Sequence, residues 1–153
     1  MGAGEQALIV LRAWRHELAN DLQSITGWLQ VGRGDRALEV AWAAADRLHS
    51  QGALLHLKAP SVALTLLEAR ARARRNGITL GLNLGSDLSG LGQEAEFRLA
   101  EAISRLLEEA LAQQSGEARA DLNLVVAEDS GGYRFDLESQ GPVATLRWPR
   151  GTA

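Results

Sequence analysis

One short stretch, Arg15-His16-Glu17-Leu18-Ala19-Asn20, holds four side chains whose types and spacing suit chemistry. His16 carries an imidazole that titrates near neutrality, so it can act as a nucleophile or a general base. Arg15 and Glu17 flank it with opposite charges, and Asn20 stands one turn further on if the segment is helical. Two plainer readings compete. A lone histidine on a helix surface is most often a solvated side chain. His16-Glu17-x-x-Asn20 also has the first half of a zinc-protease H-E-x-x-H helix, but asparagine fills the second ligand position, so no two-histidine metal site forms locally.

The element that must position these residues is a long amphipathic helix. Leu11, Leu18 and Ile25 recur every seven residues, with Leu8, Leu22 and Leu29 along the same stripe. His16 then lies about 140° from Leu11, with Asn20 and Gln23 beside the same outer line, and is expected in water. The helix should begin near Glu5 and stop at Gly32-Arg33-Gly34. Asp35 reads as the cap of a second helix, whose Leu38, Ala41, Ala45, Leu48 and Leu55 carry helical spacing to about residue 57. A short connection between two long helices makes an antiparallel hairpin. Two helices leave one side of each seam open, and Trp14, Trp28 and Trp42 add apolar surface. Pairing with a second copy into a four-helix bundle is the economical solution, which makes the chain a homodimer.

Pro60 opens a second region. Ser61 reads as the cap of a third helix carrying Val62, Leu64, Leu66 and Leu67 and ending at Asn76-Gly77. Its arginines, Arg70, Arg72, Arg74 and Arg75, complement the negative end of the helix dipole or form a docking patch for an acidic partner. Residues 78–84 alternate with period two, as a half-buried strand does; 85–92 is loop, and 94–114 is strongly helical through Phe97, Ala100, Ile103, Leu107, Ala110 and Leu111. Strands at 121–127, 133–138 and 143–148 follow, separated by the turn strings Asp129-Ser-Gly-Gly and Ser139-Gln-Gly-Pro. The expected class is α+β: a helical hairpin over 1–58, then a small α/β sandwich over 59–153 with helices on one face of a sheet.

Composition narrows the function. The 153 residues, 46% hydrophobic and 23% charged, describe one globular unit or two small subdomains. A net charge of -3 provides no general attraction to nucleic acid. The absence of cysteine removes disulfides and thiol chemistry and fits a reducing cytoplasm. The start, Met1-Gly-Ala-Gly-Glu-Gln, has no basic leader, and no apolar run reaches bilayer length. The expectation is a cytoplasmic protein with neither a membrane nor a nucleic-acid partner.

Leu11-Arg12, Arg15-His16-Glu17, Asn20, Leu22-Gln23, Ile25, Gly27, Leu29 and Gly32 together follow a longer pattern. The string resembles the sporulation initiation phosphotransferase B family and the related dimerisation helices of citrate- and fumarate-type sensor kinases, whose pattern runs approximately L-R-x-x-R-H-D-x-x-N-x-L-Q-x-I-x-G-x-L-x-L-G. The resemblance implies that His16 is the phospho-accepting histidine and Asn20 the asparagine beside it. Arg15 would help neutralise phosphoryl charge. Glu17 stands where the family usually has aspartate, and Asp21 where relatives often have lysine.

The order strand, loop, helix, hairpin after a histidine hairpin resembles the ATP-binding domain of histidine kinases. The helix of that domain carries two asparagines, in a pattern like N-L-L-x-N-A; the comparable string here is Arg105-Leu-Leu-Glu-Glu109-Ala110. Its glycine box, D-N-G-P-G or similar, is matched only by Ser139-Gln140-Gly141-Pro142-Val143. The resemblance therefore implies a degenerate kinase-like domain that binds no ATP and holds no cofactor. The implied function is a phosphorelay phosphotransferase, in sporulation initiation, that passes a phosphoryl group between response-regulator receiver domains through His16, with Mg2+ only on the receiver. The alternative is a non-catalytic dimeric adaptor or inhibitor of a two-component kinase or regulator.

Overall fold

The computed structural model describes residues 2–114 and 120–149. The chain is α+β, four helices and a four-stranded sheet among the described residues, and it divides into two compact units, Met1–Ala53 and Leu54–Ala153.

In the first unit, α1 (Ala3–Gln30) starts after Gly2, whose N–H donates to the Glu5 carboxylate at 3.4 Å. It ends where Gly32 takes a left-handed φ of 76°, a conformation that side-chain-bearing residues resist. The turn leads into α2 (Gly34–Leu54). Asp35 is a correction to the sequence reading: it lies inside the first turn of α2 and not at its cap. There it pairs with Arg33 at 3.0 Å, and that guanidinium holds its carboxyl below the usual aspartate range. An acid in a first turn still complements the helix dipole. α2 also stops three residues early, in a turn closed by the Leu57 N–H on the Leu54 carbonyl.

α1 presents two apolar lines, of which sequence periodicity identifies one. Val10, Trp14, Glu17, Asp21 and Ile25 are among its less exposed positions and share one line, and Ala37, Val40, Ala44, Arg47 and Gln51 are among those of α2. The leucine line lies about 80° away around α1. It is open: Leu11, Leu18, Leu22 and Leu29 are each about half exposed or more, and Leu38, Trp42 and Leu48 of α2 are open too.

In the second unit, α3 (Pro60–Arg75) is followed by β1 (Ile78–Leu84), α4 (Gln93–Gln114), β2 (Ala120–Asp129), β3 (Gly132–Glu138) and β4 (Pro142–Pro149). Ser61 is a further correction. Pro60 is the first helical residue and Ala59 the cap, with no side-chain cap bond. Proline suits that place because its missing N–H would be unpaired anyway. The Ser61 N–H donates instead to the Glu96 carboxylate of α4 at 2.7 Å, so a neighbouring helix supplies what a local cap would. Arg72 bonds Glu68 at 2.9 Å and Glu108 at 3.2 Å, tying α3 to α4.

The sheet order is β1-β2-β3-β4, with β1 parallel to β2 and the other pairs antiparallel. Register puts Leu80 beside Leu122, Leu124 beside Leu137, and Val126 beside Phe135. Ile78, Leu80, Leu122, Leu124, Val126, Tyr133, Phe135 and Leu137 are buried on that face. Leu66, Leu99, Ile103 and Leu107 are the buried side chains of α3 and α4. The other face carries Thr79, Asn83, Asp121, Asn123, Arg134, Asp136, Thr145 and Arg147, the alternation of a sheet covered on one side. Asp129 closes the β2–β3 turn, accepting from the Gly131 and Gly132 N–H groups at 2.8 and 3.0 Å.

Two glycine replacements should move stability in opposite directions. A Cβ at Gly85 would lie 2.7 Å from the Val126 carbonyl oxygen, so Gly85→Ala should lower the urea midpoint. A Cβ at Gly52 in α2 meets nothing within 4 Å, so Gly52→Ala should raise stability by about 0.5–1 kcal/mol. Equal midpoints for the two variants would contradict this packing.

Candidate functional site

α1 positions the candidate residues through its angular bookkeeping. His16 lies about 140° from the leucine line and about 140° from the Val10-Trp14-Asp21 line, so neither seam covers it. His16, Asn20 and Arg15 are exposed, and Glu17 is half-buried toward α2. The structure thus presents His16, Asn20 and Arg15 to solvent along adjoining turns, with Arg12 exposed one turn before His16. Glu17 is turned the other way.

The charges on α1 are sorted by direction. Asp21, the other acid of this segment, forms a half-buried ion pair with Arg47 of α2. Glu17, Asp21 and Arg47 line one groove of about 140 Å³ between the helices, together with Trp14, Arg15, Leu18, Ala44, Leu48 and Gln51. The Arg12 and Arg15 side chains have no hydrogen bond or ion pair among the described residues. The solvent side of α1 around His16 therefore carries bases and amides, while its acids are held against α2. An outward imidazole with nearby cations can approach an anionic electrophile without a like charge in the way.

Sequence reasoning missed Arg47. The signal was present: a hairpin turning at residues 31–33 brings positions at similar distances from the turn side by side, and Asp21 and Arg47 are opposite charges at such positions.

In the second unit, Arg105 and Glu109 are exposed on α4, and Ser139 is half-buried in the β3–β4 turn. That turn is closed by the Ser139 N–H on the Gly141 carbonyl at 2.9 Å, with Gln140 at a left-handed φ of 57°. Arg72 of the arginine run is engaged by two carboxylates. Trp14 is half-buried, whereas Trp28 and Trp42 are exposed, Trp42 by 66%.

Residues 3–57 match the family model described as Sensor kinase SpoOB-type, alpha-helical domain. The chain is also 26% identical over 126 residues, 78% of its length, to a probable C4-dicarboxylate sensor kinase of Bacillus subtilis (strain 168), and it spans 24% of that protein. No described helix is long and apolar enough to cross a membrane.

The Asp21–Arg47 pair generates a prediction. Removing one partner of a half-buried pair strands the other charge, so Arg47→Met should cost on the order of 1–3 kcal/mol. Asp21→Asn combined with Arg47→Met should recover part of that loss. A double-mutant cycle by chemical denaturation measures the coupling, and additive losses would show that the pair does not tie the hairpin.

Proposed function

Because residues 3–57 form a helical domain of the SpoOB-type, sensor-kinase-related family, we propose that the chain is a histidine phosphotransferase of a two-component phosphorelay. The observation that carries this reading is the outward, exposed His16, between the exposed cations Arg12 and Arg15 on one side and Asn20 on the other.

In this reading a receiver aspartyl phosphate is the donor. An imidazole nitrogen of His16 forms a P–N bond as the P–O bond to the receiver carboxylate breaks. In the second transfer the P–N bond breaks as an aspartate of another receiver takes the phosphoryl group. The transition state is loose, so catalysis is mainly positioning and charge stabilisation. Arg15 and Arg12 neutralise phosphoryl charge, Asn20 orients its oxygens, and the receiver brings the Mg2+. Glu17, turned toward α2, sets the helix surface and not the reacting face. Sporulation initiation is the setting this reading proposes for such a relay.

The open leucine line supports a dimer. Leu11, Leu18, Leu22 and Leu29 with Leu38, Trp42 and Leu48 are an apolar surface that a second hairpin would cover as a four-helix bundle. Each leucine buried there is worth roughly 1.5–3 kcal/mol. Leu18→Glu with Leu22→Glu should therefore remove one association step of the wild type by light scattering, and an unchanged mass would remove the dimer through this line.

Transfer is tested with a phosphorylated receiver domain. Wild-type chain should acquire acid-labile phosphate. His16→Ala should acquire none, at an unchanged melting temperature, because an exposed helical position contributes little packing. Asn20→Ala should slow transfer without abolishing it. A wild-type chain that no receiver labels would falsify the phosphotransferase reading, and a His16→Ala chain with full biological effect would favour an adaptor.

The similar Bacillus protein is named a sensor kinase, so the kinase reading has its own test. Arg105, Glu109 and Ser139 replace the residues a nucleotide site of that kind needs. Titration with magnesium-ATP should be calorimetrically flat; saturable heat with autophosphorylation would make the chain a kinase.

A further inference from the structure

β1 is an edge strand, since the order β1-β2-β3-β4 leaves its second side without a neighbouring strand among the described residues. The two edges of the sheet differ in protection. β4 starts at Pro142, ends at Pro149 and carries the exposed Arg147, features that discourage strand addition. β1 is Ile78-Thr-Leu-Gly-Leu-Asn-Leu84, with no proline and no charge.

Its free backbone groups can be assigned. The Gly85 N–H donates to the Val126 carbonyl at 2.7 Å. Backbone groups alternate sides along a strand, so Ile78, Leu80, Leu82 and Leu84 direct theirs away from β2. The strand also reads alike from both ends. About Gly81, Ile78 matches Leu84, Thr79 matches Asn83 and Leu80 matches Leu82. A two-fold interface demands this kind of self-complementarity. Antiparallel pairing on it sets Leu80 opposite Leu82 on the core-facing side and Thr79 opposite Asn83 on the polar side. The charges beyond the ends agree. Arg75 precedes the strand and Asp87 follows it, both exposed, and a two-fold axis sets one copy's start beside the other's end.

We propose that β1 pairs antiparallel with β1 of a second copy about Gly81, joining two four-stranded sheets into one. The inference rests on this edge alone and is independent of the phosphotransfer reading. The outward groups of Leu80 and Leu82 make the hydrogen-bonded pairs. Thr79 and Asn83 fall in the non-hydrogen-bonded pairs, where Cα atoms approach to about 4.5 Å, within disulfide range.

The chain has no cysteine, so the register can be probed directly in the full-length protein. Thr79→Cys with Asn83→Cys, mildly oxidised, should run as a covalent dimer on a non-reducing gel. Either single variant should stay monomeric there, because identical residues sit roughly 13 Å apart in this pairing. A double variant that remains monomeric, as when the edge takes another protein's strand or none, overturns the proposal. So do single variants that cross-link equally well. Thr79→Lys with Asn83→Lys, at exposed positions, should keep the circular-dichroism spectrum and lose one association step of the wild type by sedimentation. An unchanged sedimentation mass also overturns it.

Discussion

A straight helix offers each residue one direction, and α1 must divide its circumference among three demands. The Val10-Trp14-Asp21-Ile25 line turns toward α2, the leucine line beside it stays open, and the remaining arc holds Arg12, His16, Asn20 and Gln23. The two apolar lines are about 80° apart, which leaves one continuous polar arc and places His16 near its middle. Moving His16 by one position would turn it about 100° toward one seam or the other. The exposure of the imidazole thus follows from where the leucines and alanines lie.

The second unit answers a different constraint. Its sheet is covered on one face only, so hydrophobic alternation sorts every strand, and Leu122, Leu124, Phe135 and Leu137 are fully buried. Burial alone does not fix how α3 and α4 sit against each other. Glu96 on the Ser61 N–H and Arg72 between Glu68 and Glu108 supply directional contacts. The β1–α4 loop is held similarly: Tyr133 donates to the Ser89 carbonyl, and Leu88 is buried despite a left-handed φ of 57°. Burial, followed by the charge of Asp87, pushes the Tyr133 hydroxyl above the usual tyrosine range.

Much of this was legible in the sequence because it depends on period and turn chemistry. The helices, the strand at 78–84, the two turn strings and the outward direction of His16 all follow from spacing. What was not legible depends on contacts between distant elements. A Pro-Ser pair reads locally as a capped helix start, yet the cap is replaced by a carboxylate 35 positions away. Asp35 reads as a cap because aspartate so often is one, but Arg33, two residues back, competes for its carboxylate. The leucine repeat identified an apolar line that the structure leaves open, not the line that meets α2. The line that meets α2 includes Glu17 and Asp21 and so has no simple apolar signature.

Those two acids also bear on the chemistry. In the proposed phosphotransfer, a carboxylate on the outer arc would repel the incoming phosphoryl group at the same range at which Arg12 and Arg15 would attract it. Pairing with Arg47 makes it possible for α1 to carry Asp21 five residues from His16 without placing that charge before the imidazole. Glu17, adjacent to His16 in sequence, lines the same groove. The polarity of the His16 face is therefore decided by which side of α1 meets α2, and the hairpin contact and the electrostatics around His16 are one structural choice.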